Sequence, residues 1–274
     1  MISALSGLAP LPILILIGIF LGVSKIFDLQ NARTFNLFIF YIAIPCVIFE
    51  SVTKSNLEGI KFGLLASYFI MQTIAGFIAF SITQKFFSRT KAEAIIWGLT
   101  VALSNHVLII LPLSKIFFNN SVSLHVSSII VMDSVILISI VTLGLEYVKK
   151  IKVDLRKYFR DLLKNPLIIA VVTSVIVKIL EVNLHESIVE VVTSKLAQTT
   201  MPVGLISMGI ILSHYLSKVV TSLTVTISIL KLVFAPLVLF ILTGLFYQFT
   251  YPMDFLGTFL VALGPCGAFS LALC

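Results

Sequence analysis

The chain has 274 residues, 59% of them hydrophobic and only 11% charged, and its mean hydropathy is +1.13. Soluble domains carry about a quarter charged residues, so this composition excludes a water-borne globular fold and leaves lipid as the solvent. The formal net charge of +7 would suggest nucleic acid in a soluble protein, but here it reports topology, because basic residues collect in the cytoplasmic loops of membrane proteins.

A helix crosses the bilayer with about 20 apolar residues. The chain divides into nine such spans: 8–24, 35–52, 62–83, 94–118, 126–147, 167–180, 188–212, 225–249 and 255–274. Barrel strands would alternate apolar and polar residues, whereas the run from Pro12 to Val23 is apolar on nearly every face. The fold class is therefore all-α, a polytopic transmembrane helical protein. The first ten residues hold no basic segment and another span follows the first, so no cleavable signal peptide is expected.

Taken in chain order, span one opens on Pro12-Ile-Leu-Ile-Leu and span two carries Ile44-Pro45-Cys46. Span three holds Gln72, a candidate for interhelical hydrogen bonding. Span four is interrupted by Ser104-Asn105-His106 and then Pro112, and span five holds Asp133 in its first half. A basic loop follows, with Lys149, Lys150, Lys152, Arg156, Lys157, Arg160 and Lys164. Lys25, Arg33, Lys85, Arg89, Lys91 and Lys218 share its side of the membrane, which predicts a cytoplasmic loop and an N-terminus outside.

Beyond the loop the pattern repeats weakly. Span six opens on Pro166-Leu-Ile-Ile-Ala, and span seven carries Met201-Pro202-Val203, with Ser207 and Gly209 expected to allow close packing. Span eight holds Lys231, and span nine is interrupted by Gly264-Pro265-Cys266-Gly267. Pro12, Pro45 and Pro112 are separated by 33 and 67 residues; Pro166, Pro202 and Pro265 by 36 and 63. This predicts a first repeat of five spans over 1–148, a cytoplasmic loop over 149–165, and a second repeat over 166–274 with four visible spans. A repeat of five helices places its second copy upside down in the membrane, an arrangement recurrent in secondary transporters. Spans four and nine become crossed, broken helices, with Pro112 and Pro265 at the breaks. Freed backbone groups are tolerated in hydrocarbon only against protein or a water-filled cavity, so the breaks predict the binding site. Half-helix N-termini there would offer partial positive charge to an anion.

These residues resemble the auxin efflux carrier family, which includes bacterial permeases for small carboxylates. The resemblance rests on Asn36 through Ile44-Pro45-Cys46, on Asn105 with Pro112-Leu113, on Lys231 through Pro236, and on Ala262-Leu-Gly-Pro265-Cys-Gly267. It implies ten helices in two inverted repeats, with a scaffold group of helices one, two, six and seven facing a transport group, and substrate bound between them. A glycine common in the family two residues before the proline of helix four is Ile110 here. The chain ends at Cys274, nine residues past Pro265, and a tenth helix is not visible, as expected of a truncated or degenerate second copy.

The expected function is a secondary transporter that moves a small, dicarboxylate-like anion by alternating access with proton coupling. A bacterial inner membrane is expected, because a long central loop of the plant-exporter kind is missing. The candidate substrate residues are Ser104, Asn105, His106, Pro265, Cys266 and Gly267. Asp133 and Lys231 are the coupling candidates, because an intramembrane charge costs about 2.5–3.5 kcal/mol and marks function by default. His106 is a second candidate for proton coupling, since imidazole changes charge near physiological pH. The partners expected are the anion, protons and the bilayer, with a homodimer as a candidate assembly and no nucleic acid. His106, His125, His185 and His214 are dispersed and Cys46, Cys266 and Cys274 have no metal-ligand spacing, so no catalytic residue, metal or cofactor is expected. The alternative is a channel or a non-transporting, truncated membrane subunit.

Overall fold

The computed structural model describes residues 9–54, 61–118, 120–134, 160, 163–215, 220–247 and 252–266. Among them every regular element is a helix. The helices are α1 (Pro10–Val23), α2 (Leu29–Lys54), α3 (Phe62–Phe86), α4 (Lys91–Ala102), α5 (His106–Phe117), α6 (Asn120–Met132), α7 (Pro166–Ile179), α8 (Ile188–Tyr215), α9 (Ser222–Phe246) and α10 (Pro252–Leu263). By length and composition α2, α3, α8 and α9 can each cross a membrane, and shorter apolar helices accompany them. The chain is a multi-pass, all-helical membrane protein.

Span four divides into α4 and α5, and span nine stops at Leu263. The second half of predicted span five, most of the basic loop and the end of span nine from Gly267 lie outside the described residues. The inverted symmetry and the apparent lack of a tenth helix also depend on those residues.

Helix starts follow local chemistry rather than hydropathy. Asp28 accepts from the Asn31 N–H while Asn31 answers back to Asp28, which starts α2 at Leu29, six residues before its apolar stretch. Thr90 and Glu93 form the same reciprocal cap on α4, and Thr221 with Thr224 caps α9. The backbone N–H and then the hydroxyl of Thr90, aided by nearby Arg89, hold the Glu93 carboxyl below its usual range. That contribution is present above the unfolded-state value and is lost as pH falls through the lowered one. Thr90→Ala should cost about 1 kcal/mol, read as a lower midpoint in thermal unfolding of the detergent-solubilised protein.

Three of the described helices contain a wide turn ahead of a proline, at Ile39–Ala43, His106–Ile110 and Leu230–Phe234. Each ends two residues before a proline: Pro45, Pro112 and Pro236. A proline cannot donate to the carbonyl four residues back, and its ring presses on that carbonyl. Widening the preceding turn relieves both problems, so the Ile44 N–H bonds to Ile39 O and the Ala235 N–H to Leu230 O, five residues back. Pro202 lies inside α8 without such a turn.

The described helices gather into two compact units. The first draws on residues within 1–56, 107–118 and 163–219; the second on residues within 57–106, 119–162 and 220–274. Each therefore mixes stretches from both halves of the sequence. In the first unit α1 lies against α8 through small residues. A Cβ on Gly209 would stand 2.8 Å from the Gly18 Cα and 2.9 Å from the Ile19 nitrogen. The Ser207 hydroxyl adds hydrogen bonds to Ala32 O and Asn36 Oδ1 of α2. Lys54 bridges Glu50 and Glu190 at 3.0 and 3.1 Å, and Lys178 Nζ donates to Val52 O and Thr53 O at the end of α2. In the second unit α3 and α4 meet at Gly76 and Gly98, and α10 packs on α6 where Gly257 faces Val122 and His125.

Candidate functional site

The second unit contains a buried polar cluster built around the break between α4 and α5. The α-helical ladder ends at Ala102, where Leu103 turns to an extended conformation (φ −81°, ψ 134°). Continuity is lost over 103–105; Pro112 instead occupies the first turn of the α-helical segment Leu111–Phe117. In the same way α10 ends at Leu263, and Gly264 and Pro265 carry the chain out of the helix.

The two breaks pair with each other. Ser104 and Cys266 form an isolated antiparallel bridge, and the Asn105 N–H donates to Pro265 O at 2.8 Å. Two short extended segments thus satisfy some of the backbone groups that their helices release, as burial requires. The Ser104 hydroxyl donates to Val261 O, at the end of α10, over 2.5 Å.

Side chains from three further helices converge on this crossing. Lys231, 0% exposed, reaches in from the wide turn of α9 and donates to Ser104 Oγ at 2.7 Å and Val101 O at 3.0 Å. Asp133, 1% exposed, follows α6; its Oδ1 accepts from Gln72 Nε2 of α3 and its Oδ2 lies 3.0 Å from His106 Nε2. Each carboxylate oxygen thus has a partner of its own. Asp133 and Lys231 form no ion pair within 4.0 Å. Their direct partners differ: the carboxylate meets an imidazole and an amide, the ammonium a carbonyl and a hydroxyl.

Three side chains of this cluster hold a buried polar atom with no hydrogen-bond partner among the described residues: Asn105, Tyr68 and, at its Oε1, Gln72. Asn105 is 3% exposed and its Nδ2 meets no acceptor there. The Tyr68 hydroxyl, fully buried and near Ser104 and Asp133, makes no well-formed hydrogen bond.

Of the residues singled out from the sequence, Ser104, Asn105, His106, Asp133, Lys231, Pro265 and Cys266 all fall in this cluster; Gly267 lies outside the described residues. Ser104 bonds to Lys231 and Val261, while Asn105 keeps its amide donors. Tyr68 was missed. The available signal was its spacing from Gln72: four residues put both on one face of an otherwise apolar helix.

Comparisons with known proteins point to membrane transport. The sequence profile of the family described as Membrane transport protein matches residues 3–154, more than half of the chain. The uncharacterized transporter YfdV of Escherichia coli strain K12 is 33% identical over 97 residues. So are the proteins of that name in Escherichia coli O157:H7 and Shigella flexneri. The match covers 35% of this chain but only 31% of each relative.

Proposed function

The chain belongs to the membrane transport protein family, the resemblance first read in its broken helices, and on that premise we propose a proton-coupled secondary transporter for a small organic anion. The substrate class is dicarboxylate-like, the mechanism alternating access, and the location a bacterial cell membrane with the N-terminus outside. The reading is carried by one observation: two helix breaks pair at Ser104–Cys266 beside a buried His106–Asp133 pair.

The chemistry has two parts. Asn105 Nδ2 is a buried donor without a protein acceptor among the described residues, and a carboxylate oxygen is the acceptor that such a group binds well. His106 Nε2 and Asp133 Oδ2 lie 3.0 Å apart, and an ionised carboxylate there can only accept, so it requires a proton on Nε2. A second proton, taken up at the carboxylate, would neutralise Asp133 and weaken its hold on His106, the residue next to Asn105. Proton uptake would thereby change the substrate contact.

Purified protein in liposomes should take up labelled malonate or malate saturably, driven by an imposed pH gradient. Asn105→Ala should raise the KM about tenfold, the equivalent of one hydrogen bond to a charged group, with unchanged membrane insertion. Linear, non-saturating flux would indicate a channel. No flux for any of a panel of mono- and dicarboxylates would overturn the transport reading.

A further inference from the structure

The breaks bring two helix C-termini together. The α-helical turns of α4 end at Ala102 and those of α10 at Leu263, and the last turn of each exposes carbonyl groups without intrahelical partners. Each C-terminus carries roughly −0.5 of an elementary charge, partly offset by the positive N-terminus of α5 at His106, so the carbonyl oxygens of the two C-termini favour a cation where they meet. Unwound carbonyls and half-helix C-terminal ends of this kind are where transporters with broken helices coordinate a coupling cation.

Lys231 occupies that position from within the chain. Its Nζ bonds to Val101 O, one of the last-turn carbonyls of α4, and to Ser104 Oγ; Ser104 in turn donates to Val261 O, in the last turn of α10. One ammonium is thus linked to both helix ends, directly to one and through a hydroxyl to the other. It is fully buried and has no carboxylate within ion-pairing distance, so these oxygens are its direct partners, while Asp133 acts on its charge from farther off. Its partners, a carbonyl and a hydroxyl, are ligands that an alkali cation also takes.

We propose that the Lys231 ammonium is a tethered counter-cation that fills the place an alkali cation would otherwise hold at the crossed helix C-termini. Together with the transport reading, on which this consequence rests, it makes coupling independent of sodium. The α9 wide turn ahead of Pro236 delivers Lys231 to the crossing, while neighbouring Leu232 and Val233 remain about half exposed, at 48% and 53%.

The test is thermal and needs no substrate. Wild-type protein in detergent should melt at the same temperature, within about 1 °C, in sodium, potassium and choline chloride of equal ionic strength. Lys231→Ala should melt about 5–10 °C lower, as expected for losing two charge-assisted hydrogen bonds. Propylammonium chloride should restore part of that loss in the variant. Tetramethylammonium, which has no N–H to donate, should restore none. Sodium-specific stabilisation of the wild type would overturn the proposal. So would a Lys231→Met variant as stable as wild type. If neither variant folds, the wild-type cation series still decides, with a sodium-specific shift against the proposal and cation indifference for it. Because melting is read without transport, failure of this proposal is separable from failure of the transport reading, which appears only as missing flux.

Discussion

Replacing Asp133 with Asn is expected to abolish uptake driven by a pH gradient, by about a hundredfold, while leaving exchange of substrate across equal pH largely intact. The reasoning begins with the two oxygens of Asp133, one accepting from Gln72 and the other 3.0 Å from His106 Nε2. Asparagine keeps the shape and can still accept from Gln72 through its oxygen. Its amide nitrogen then faces His106 and donates, so Nε2 must carry a lone pair rather than a proton. The variant is therefore held in a neutral state like that of the protonated carboxylate. A cycle that needs the proton to come and go stops, whereas exchange, which does not need net proton movement, continues. Folding should survive, because asparagine keeps both contacts, accepting from Gln72 and donating to a neutral His106, so no buried charge is left unpaired. Equal loss of uptake and exchange, or an unchanged pH profile, would remove Asp133 from the coupling role.

The second large effect is structural. Gly209→Leu should lower the melting temperature by about 5–10 °C, as expected for an overpacking cost of about 1–3 kcal/mol. A Cβ at Gly209 would meet the carbonyl oxygen of Ile15, the Gly18 Cα at 2.8 Å and the Ile19 nitrogen at 2.9 Å. All three are backbone atoms, so no side chain can rotate away and α1 must separate from α8. Helices in lipid associate through close packing rather than a hydrophobic drive, and this contact is lost directly. Leu16→Ala on the same helix should change the midpoint little, because Leu16 is 61% exposed. Similar midpoints for the two variants would mean that the glycine contact does not hold the first unit together.

Much of the candidate site was legible because hydrocarbon penalises polar groups. Ser104, Asn105, His106, Asp133 and Lys231 each interrupt an apolar span, and each lies in the buried cluster of the second unit. Such residues are too costly in a membrane to occur without a partner or a task. Pro112 was a less direct guide. Its effect is absorbed by the wide turn at His106–Ile110, and the chain leaves helical geometry earlier, at Leu103. The start of α2 was also missed, because its first turn is polar and depends on the Asp28–Asn31 cap.

The sequence by itself determined that the protein is helical and membrane-spanning, that the spans around Asn105 and Pro265 are interrupted, and that polar groups reside within them. These are consequences of composition and of backbone rules that act locally along the chain. Only the tertiary structure decided the pairing: His106 and Gln72 with Asp133, Lys231 with Ser104 and Val101, and Asn105 with Pro265. The reason is distance along the chain. Gln72 and Asp133 are separated by 61 residues and Lys231 and Ser104 by 127, and no local preference can tell which of several buried partners a side chain will meet. Packing of the helices makes that choice, and it gives Ser104, a substrate candidate, hydrogen bonds to Lys231 and to the end of α10.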